Sequence, residues 1–307
     1  MRVGFVADLA QAPALVGVRE GLFTTALGTA TRFRTATFAA DAPAAAALDA
    51  GTIDAAYLDP NSAYRVFARA GHAPTVTIVA GAASGGASLV TRPGIGRPAD
   101  LAGTTIGVPR SGSAADVALR TWLAAQGIGV GTPAGVSVTT VDEAASVDAL
   151  RAGSIDGAWL PEPWASRLVL AGGRILLDER ALWPGGEFSS AVLAVRTSLL
   201  RTQPGVVKAL LRGHVAAEDL LRSNPTTAQH DTILEIGTVT GQDVTEAVAE
   251  GWARLRFTDD PLVATLREAA DHAKQPGVVV KPDMRGFVDV GPLNAILRSV
   301  HEAPVGQ

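Results

Sequence analysis

The sequence predicts an α/β protein built from two similar lobes, and three observations lead to that fold class. The chain has 307 residues, a length at which two domains are expected, each large enough to bury a core. Short apolar runs typical of buried strands alternate with segments of helical periodicity. An internal repeat is the third observation: residues 47–58 read ALDAGTIDAAYL and residues 149–160 read ALRAGSIDGAWL. Two copies about a hundred residues apart are too few for a solenoid and fit a duplicated lobe.

The first lobe is expected to begin with a strand at residues 2–7 and a polar turn at 8–13 that leads into a helix. In each copy of the repeat a glycine, Gly51 or Gly153, ends a helix, and a buried strand follows. The further elements predicted for this lobe are helices at 43–50 and 61–70 and strands at 55–58 and 76–80. Residues 81–88, GAASGGAS, are predicted to form a flexible loop whose small residues let a backbone approach a ligand; an ordinary hairpin-like loop is the alternative.

The second lobe is expected to be organised around a strand, a turn and a helix in residues 100–127. Residues 105–108 are apolar and β-branched, residues 109–113 form a polar turn, and the helix runs to about Gln126 before Gly127 closes it. The further elements predicted for this lobe are strands at 136–141, 155–160 and 174–177 and helices at 143–152 and 164–171. A strand at 190–195 is predicted to follow the lobe after a Gly-rich turn.

Amphipathic helices are expected to complete the first lobe from the C-terminal part of the chain. They are predicted at 204–222, 225–236, 243–254, 261–273 and 293–300. Lobe 1 therefore comprises residues 1–90 and 194–307, and lobe 2 comprises residues 91–193. Two extended crossings, near Thr91 and near Val192, are expected to form a hinge.

Polar turns follow the repeat strand in both lobes, at residues 59–61 and 161–164. In open α/β sheets a ligand lies outside the carboxyl ends of the strands, so we expect these turns to face one crevice between the lobes. The helix after the turn at 109–113 adds free backbone amides, which attract an anion or a carbonyl oxygen. Ser111 and Ser113 are the candidate N-caps of that helix, and the alternative is that they only cap it.

The candidate ligand-binding residues lie at the predicted strand ends, helix starts and crevice loops. They are Asp8, Gln11, Ala12, Asp59, Asn61, Ser84, Arg110, Ser111, Gly112, Ser113, Glu162, Trp164 and Glu187. The acidic residues among them would repel a pure anion unless they pair with arginines, which favours a ligand that carries an amine or a polar ring as well as an acceptor group. Arg110 either adds a positive charge or points to solvent. Trp164 is the aromatic side chain best placed to stack on a ligand.

Several function classes have no support in the sequence. A net charge of −4 gives no basic face for nucleic acid. The chain has no cysteine, which excludes thiol nucleophiles, disulfides and thiolate metal sites. The histidines show no metal-ligand spacing, and there is no P-loop, complete dinucleotide fingerprint or GxSxG elbow. We therefore expect neither a metal ion nor a cofactor.

Several motifs occur in a characteristic order along nearly the whole chain. They are REGLF at 19–23, the first repeat ending at Asp54, DLAG at 100–103, IGV at 106–108, GSID at 153–156 followed by Glu162-Pro163, and a helix opening at Pro204. With these motifs the chain resembles the substrate-binding proteins of ABC importers, in the group that binds nitrate, alkanesulfonates, taurine and thiamine precursors. The resemblance implies a type II periplasmic-binding-protein fold with a two-strand hinge, which closes on a small molecule and delivers it to a membrane permease.

Members of that group are exported, commonly as lipoproteins, whereas the first strand here begins at Met1 with no leader before it. We expect an extracytoplasmic monomer, in the periplasm or on the cell surface as a lipoprotein, whose leader is not included in this sequence. Its expected ligand is a small organic solute, either similar to alkanesulfonates or taurine or an amine-bearing heterocycle.

Two other functions stay open. One is a cytosolic enzyme on the same fold, of the lyase type or of pyrimidine synthesis. Against it, cysteine is absent and all three lysines lie beyond residue 200, so thiol chemistry is excluded and Schiff-base chemistry is disfavoured. The other is a ligand-sensing domain of a regulator, although the sequence contains no DNA-binding helix pair or basic patch.

Overall fold

The computed structural model describes residues 1–70, 73–132, 134–272 and 284–306, and its strands form two separate sheets. In chain order the strands are β1 (Arg2–Val6), β2 (Arg34–Phe38), β3 (Ala55–Leu58), β4 (Val76–Gly85), β5 (Ala87–Thr91), β6 (Thr105–Val108), β7 (Ser137–Thr140), β8 (Gly157–Pro161), β9 (Arg174–Asp178), β10 (Ser189–Arg196) and β11 (Leu255–Phe257). The first sheet has the order β11-β4-β10-β3-β1-β2, and the second has the order β7-β6-β8-β5-β9.

The two sheets repeat one arrangement. β1 lies parallel between β2 and β3 in the first sheet, just as β6 lies parallel between β7 and β8 in the second. β10 pairs antiparallel with β3 and β4, and β5 pairs antiparallel with β8 and β9. The strands of the sequence repeat, β3 and β8, therefore occupy equivalent positions, which confirms the predicted two-lobed α/β fold.

The core lies on both faces of each sheet, which is why the repeat strands are apolar at consecutive positions. All four residues of β3 are buried, and Trp159 on β8 is fully buried against Trp122. One hydrophobic cluster is continuous from the first sheet to the second, since it includes Val195 as well as Leu160 and Trp164.

Helices cover both sheets. In chain order they are α1 (Ala12–Arg19), α2 (Leu22–Leu27), α3 (Asp41–Asp49), α4 (Pro60–Arg69), α5 (Ala114–Ala125), α6 (Ser146–Arg151), α7 (Trp164–Leu170), α8 (Thr197–Thr202), α9 (Pro204–Ser223), α10 (Pro225–Thr240), α11 (Thr245–Gly251), α12 (Val263–His272) and α13 (Gly291–Ser299). α9 packs against α1, α2, α10 and α13, so the C-terminal helices complete the first lobe as expected. The helix predicted at 261–273 corresponds to α12, and Ala273 lies outside the described residues. Among the described helices, none has the length and apolar character needed to cross a bilayer.

The chain changes sheet at two places. β4 belongs to the first sheet and β5 to the second, and they are separated only by Gly86, whose φ of +79° suits glycine. The return runs through residues 179–188, which contain two short 3-10 helices. Both crossings precede the expected positions, because Thr91 is paired inside β5 and Val192 inside β10.

The flexible loop predicted at residues 81–88 is wrong. Residues 81–85 belong to β4, which is buried along its whole length, and residues 87 and 88 begin β5. Small side chains are needed in β4 because another segment packs directly on it: a Cβ on Gly81 would overlap the carbonyl group of Asp260. The residues that suggested a loop therefore serve close packing.

Candidate functional site

A cleft lies between the two sheets and contains about 1100 Å³ of space free of protein atoms, part of it open to solvent. Residues that follow β1, β2 and β3 line one side, and residues that follow β6 and β7, together with the last residue of β8, line the other. The predicted candidates that line this cleft are Asp8, Gln11, Asp59, Asn61, Arg110 and Ser113. The crevice expected between the strand ends of the two lobes is therefore present, and it brings these residues together.

Carboxyl groups converge on the cleft from the strand ends of both lobes: Asp8, Asp41, Asp59 and Glu143. Asp41 Oδ1 accepts hydrogen bonds from Gln11 Nε2 at 2.9 Å and from Asp59 N at 3.0 Å. Gln11 is itself fixed, since its Oε1 accepts a hydrogen bond from Val6 N at 2.8 Å. Gln11 thus orients the acidic residues instead of offering a free amide to a ligand.

Burial raises the pKa of each of these carboxyl groups, and repulsion between them raises three of these values further. The pKa of Asp8 lies well above its ordinary value, first because of burial and then because of the charge of Glu143. The pKa of Asp41 is likewise raised by burial and by the charge of Asp59. Burial raises the pKa of Glu143 to about 8, and the charge of Asp41 contributes in the same direction. The cleft therefore retains protons in a pH range where free carboxyl groups have lost them.

In the first lobe, the helix starts beside the cleft are capped by these same carboxylates. Asp8 Oδ1 accepts a hydrogen bond from Gln11 N at 2.9 Å, at the 3-10 helix Leu9–Gln11 that precedes α1. Asp59 Oδ1 accepts hydrogen bonds from Asn61 N at 2.9 Å and Ser62 N at 3.1 Å at the start of α4. These amides already donate to carboxyl oxygens of the protein, so they are not available to an incoming anion.

Two backbone amides at the start of α5 in the second lobe also donate to side-chain oxygens of the protein. Gly112 N donates to Asp116 Oδ2 at 2.7 Å, and Asp116 N donates to Ser113 Oγ at 3.3 Å. Ser113 thus caps its own helix and also lines the cleft. Ser111 is exposed and lies outside the cleft lining.

The remaining predicted candidates do not line the cleft: Ala12, Ser84, Ser111, Gly112, Glu162, Trp164 and Glu187. Ala12 is fully buried in α1. Ser84 is buried on β4, where its hydroxyl accepts a hydrogen bond from Phe188 N at 3.1 Å. Both residues lie behind the cleft because the strand and helix that carry them continue into the core.

Glu162 follows β8 as predicted, but its carboxylate is buried in the core and does not face the cleft. Its side chain is fully buried, its Oε2 accepts a hydrogen bond from Ser166 N at 3.0 Å, and its Oε1 lies 3.0 Å from Arg254 Nη1. Trp164 is 2% exposed and belongs to the core. Glu187 forms a surface ion pair of 2.7 Å with Arg256.

An aromatic wall of the cleft comes from the return crossing. Trp183 and Phe188 both line the cleft, and their rings stack with centroids 5.4 Å apart and an interplanar angle of 17°. Glu179 accepts a hydrogen bond from Trp159 Nε1 at 2.9 Å and another from the Trp183 side chain. Burial raises the pKa of Glu179 to about 7, although both hydrogen bonds oppose that shift. Trp183 therefore takes the position in the cleft that was expected of Trp164.

Residues 1–236 match the sequence profile of the NMT1-like family. The chain belongs to this family. Among solved structures it is similar to the periplasmic nitrate-binding protein NrtA from Synechocystis PCC 6803, with a TM-score of 0.80 and 14% identity, covering 97% of this chain and 88% of that one. The alkanesulfonate-binding protein SsuA from Xanthomonas axonopodis pv. citri, bound to MOPS, gives a TM-score of 0.73 and 19% identity, covering 94% of this chain and 97% of that one.

A third similar structure is the ligand-binding component of an ABC-type import system from Staphylococcus aureus, with zinc bound. Its TM-score is 0.75 at 16% identity, and the match covers 95% of this chain and 97% of that one. Comparison with curated proteins gives no match. The family match and the similar structures confirm the family resemblance expected from the sequence and the type II periplasmic-binding-protein fold.

The lobes of this NMT1-like protein touch beside the cleft. Leu9 N, in the first lobe, donates a hydrogen bond of 2.9 Å to the carbonyl oxygen of Glu162 in the second. Arg65 on α4 lies so close to Gly112 that a Cβ there would overlap its guanidinium group, and the φ of +76° at this position also favours glycine. The turn before α5 thus lies against a side chain of the opposite lobe.

Within the described part of this NMT1-like protein, no group of three or more histidine, aspartate or glutamate residues is arranged to hold a metal ion. His214 is fully buried, and its Nδ1 lies 2.8 Å from the hydroxyl of Tyr57. Burial lowers the pKa of His214, so this histidine is a neutral core residue at pH 7. His72 lies outside the described residues.

Proposed function

We propose that this protein is a solute receptor, which captures a small organic molecule between its lobes and delivers it to the permease of an ABC importer. The observation that carries the proposal is a cleft bordered by the strand ends of two separate sheets, between which the chain passes twice. Such an arrangement favours hinge closure on a bound molecule. The nitrate-binding and alkanesulfonate-binding proteins of similar structure support the same role.

The proposed hinge consists of Gly86 and residues 179–188, where the chain changes sheet. The two lobes then keep the division expected from the sequence, with boundaries at these crossings instead of at residues 90 and 193. Trp183 and Phe188 lie in the second crossing, so a ligand that contacts them also contacts the hinge. Ligand binding and closure would be coupled through this segment.

In the proposed site, polar groups of both lobes contact the ligand and the aromatic pair packs against it. The contact residues we propose are Asp8, Asp41, Asp59 and Asn61 from the first lobe, Arg110, Ser113 and Glu143 from the second, and Trp183 and Phe188 from the crossing. Gln11 acts by positioning Asp41. Glu162 supports the site from behind, since its backbone carbonyl holds Leu9 beside the cleft.

The proposed role requires a protein that works outside the cytoplasm, in the periplasm or as a lipoprotein on the cell surface, and that meets its permease as a monomer. Its ligand would be a small solute similar to alkanesulfonates or taurine, or an amine-bearing heterocycle. The periplasmic location named for the nitrate-binding structure supports this assignment.

A ligand screen with two readouts tests the receptor function. We expect one chemical class of solute to raise the thermal midpoint of unfolding in a saturable way and to make the protein more compact in small-angle scattering. The bound solute should be recovered unchanged by mass spectrometry. A new product formed from the solute would instead support the lyase-type or pyrimidine-synthesis enzyme.

A matched pair of variants assigns the binding to the cleft. Ala118 on α5 lines the cleft, whereas Ala125 on the same helix is exposed. Ala118→Phe should abolish ligand-induced stabilisation because the ring fills the cleft, and Ala125→Phe should leave it unchanged. Equal responses of the two variants would show that the solute binds elsewhere.

A further inference from the structure

The cleft has an excess of acidic side chains over basic ones among the described residues of its lining. Asp8, Asp41, Asp59 and Glu143 line it, and Arg110 is the single cationic side chain among the described residues of the lining. None of the four carboxylates forms an ion pair with a described residue, and the Glu143 carboxylate accepts no hydrogen bond from one either. By contrast, most of the buried carboxylates elsewhere in the described chain lie within ion-pair distance of an arginine.

The same region offers few donors to an anion. The backbone amides of Gln11, Asn61 and Ser62 at the first-lobe helix starts donate to Asp8 or Asp59, and Gly112 N donates to Asp116. Recognition of an oxyanion at a helix start depends on amides of this kind being available. The geometry therefore disfavours a ligand that presents a sulfonate or nitrate group to the helix starts of the first lobe.

Unpaired hydroxyl groups give an independent sign that a polar ligand completes the site. Ser189 and Ser190 line the cleft, and their buried Oγ atoms have no hydrogen-bond partner among the described residues. A buried hydroxyl without a partner is costly, and a polar ligand would supply a partner as a donor or as an acceptor.

Given the proposed receptor function, we infer that the ligand is an organic cation: a small flat or apolar body that carries a protonated amine or an amidinium group. The cationic nitrogen lies among Asp8, Asp41, Asp59 and Glu143, where charge-assisted hydrogen bonds form. The body of the ligand packs against Trp183 and Phe188. The Arg110 guanidinium group can only donate hydrogen bonds, so its contact is to an acceptor atom of the ligand or to Asp59.

The inference predicts that the affinity for a cation depends on pH. Because burial raises the pKa of the four carboxyl groups, the empty cleft holds protons near neutral pH that an arriving cation displaces. The charged groups that face Glu143 are Asp8, Asp41 and Asp142. The affinity for a permanently charged cation should therefore rise with pH as Glu143 ionises around pH 8.

Three probes that share a phenyl ring test the charge of the ligand: the cationic benzamidinium, the neutral benzamide and the anionic benzenesulfonate. We expect calorimetry on the full chain to show saturable binding of benzamidinium, with benzamide weaker and benzenesulfonate without effect. Panels of small amines and amidines, and of sulfonates, nitrate and carboxylates, extend the comparison to other shapes.

Glu143→Gln tests the assigned carboxylate with little risk to folding, since this side chain makes no hydrogen bond to the described residues. The variant should weaken the binding of benzamidinium, or of the best cation in the panel, about tenfold. Glu20→Gln removes an exposed carboxylate outside the cleft lining and should leave the affinity unchanged.

The outcomes separate this inference from the receptor function. If sulfonates or nitrate bind and cations do not, the charge assignment is wrong and the receptor function stands. Binding of cations with equal affinity to Glu143→Gln and the unsubstituted chain would also overturn the assignment. If no member of either panel binds and scattering shows no compaction, both the inference and the receptor function are wrong.

Discussion

Among the described residues, buried carboxylates outside the cleft form ion pairs with arginines, whereas those inside it do not. The paired set joins Asp116 to Arg120 at 2.6 Å, Glu162 to Arg254 at 3.0 Å, Asp231 to Arg19 at 3.2 Å and Asp259 to Arg222 at 3.2 Å. Asp8 is 7% exposed and has no such partner among the described residues. Burying an unpaired charge is unfavourable, so the group shifts its pKa and retains its proton instead. The contrast indicates that the paired set stabilises the fold and that the unpaired set is kept for a ligand.

The largest effect is expected from breaking a pair of the first set. Arg254→Met leaves the Glu162 carboxylate, whose side chain is fully buried, without its partner. We expect the free energy of unfolding to fall by about 3 kcal/mol in urea titrations. Arg97→Met is the control, because Arg97 is 76% exposed in its pair with Asp100 and should contribute less than about 1 kcal/mol. Equal losses in the two variants would contradict the role assigned to the buried pair.

A smaller change in stability, of opposite sign for the unpaired and the paired carboxylates, distinguishes the two sets directly. Asp8→Asn keeps an oxygen that can cap the helix start but removes a buried acidic group that has no ion-pair partner among the described residues. We therefore expect it to raise the stability of the ligand-free protein by about 1 kcal/mol at pH 8. Asp116→Asn removes a charge paired with Arg120 and should lower stability by about 1 kcal/mol. Urea titrations of both variants measure the difference. If both substitutions destabilise, Asp8 belongs with the structural set.

The smallest effect is on the pH dependence of stability. The pKa of Glu143 is about 8 in the folded chain, above its ordinary value in an unfolded chain. Between the two values the folded state binds more protons than the unfolded state, so this group lowers the stability as pH rises from about 4.5 to 8. Glu143→Gln should flatten the decline in thermal midpoint over that range. An unchanged slope would mean that Glu143 titrates normally.

The overall fold was predictable from the sequence because duplication leaves a strong signal. The repeat at residues 47–58 and 149–160 gave two equivalent strands, and the rule that ligands lie at strand ends led to Asp8, Asp59 and Arg110, all of which line the cleft. These residues were found because the strands that precede them are short apolar runs.

The rest of the cleft depends on elements with weaker sequence patterns. Asp41 follows β2, in which three of the five residues are exposed and whose sequence shows no apolar run. Glu143 was assigned to a helix that in fact begins at Ser146, so its position after β7 was overlooked. Applying the strand-end rule to these two strands would have found both acids.

Side-chain pairing was beyond what the sequence could indicate. Glu162 and Trp164 follow the repeat strand as Asp59 and Asn61 do, yet Glu162 pairs with Arg254, 92 residues later in the chain. Only the packing of α11 against α7 brings that arginine near. The two turns are similar in sequence position, and their distant partners separate a cleft residue from a core residue.

The most direct test of the central claim counts protons released on binding. Benzamidinium is titrated into the full chain at pH 7 in two buffers that differ in ionisation enthalpy, and the difference in measured heat gives the number of protons exchanged. We expect release of about one proton, because the cation displaces a proton held by the unpaired carboxyl groups. Binding without proton release, or binding of benzenesulfonate with proton uptake, would contradict a cleft built for a cation.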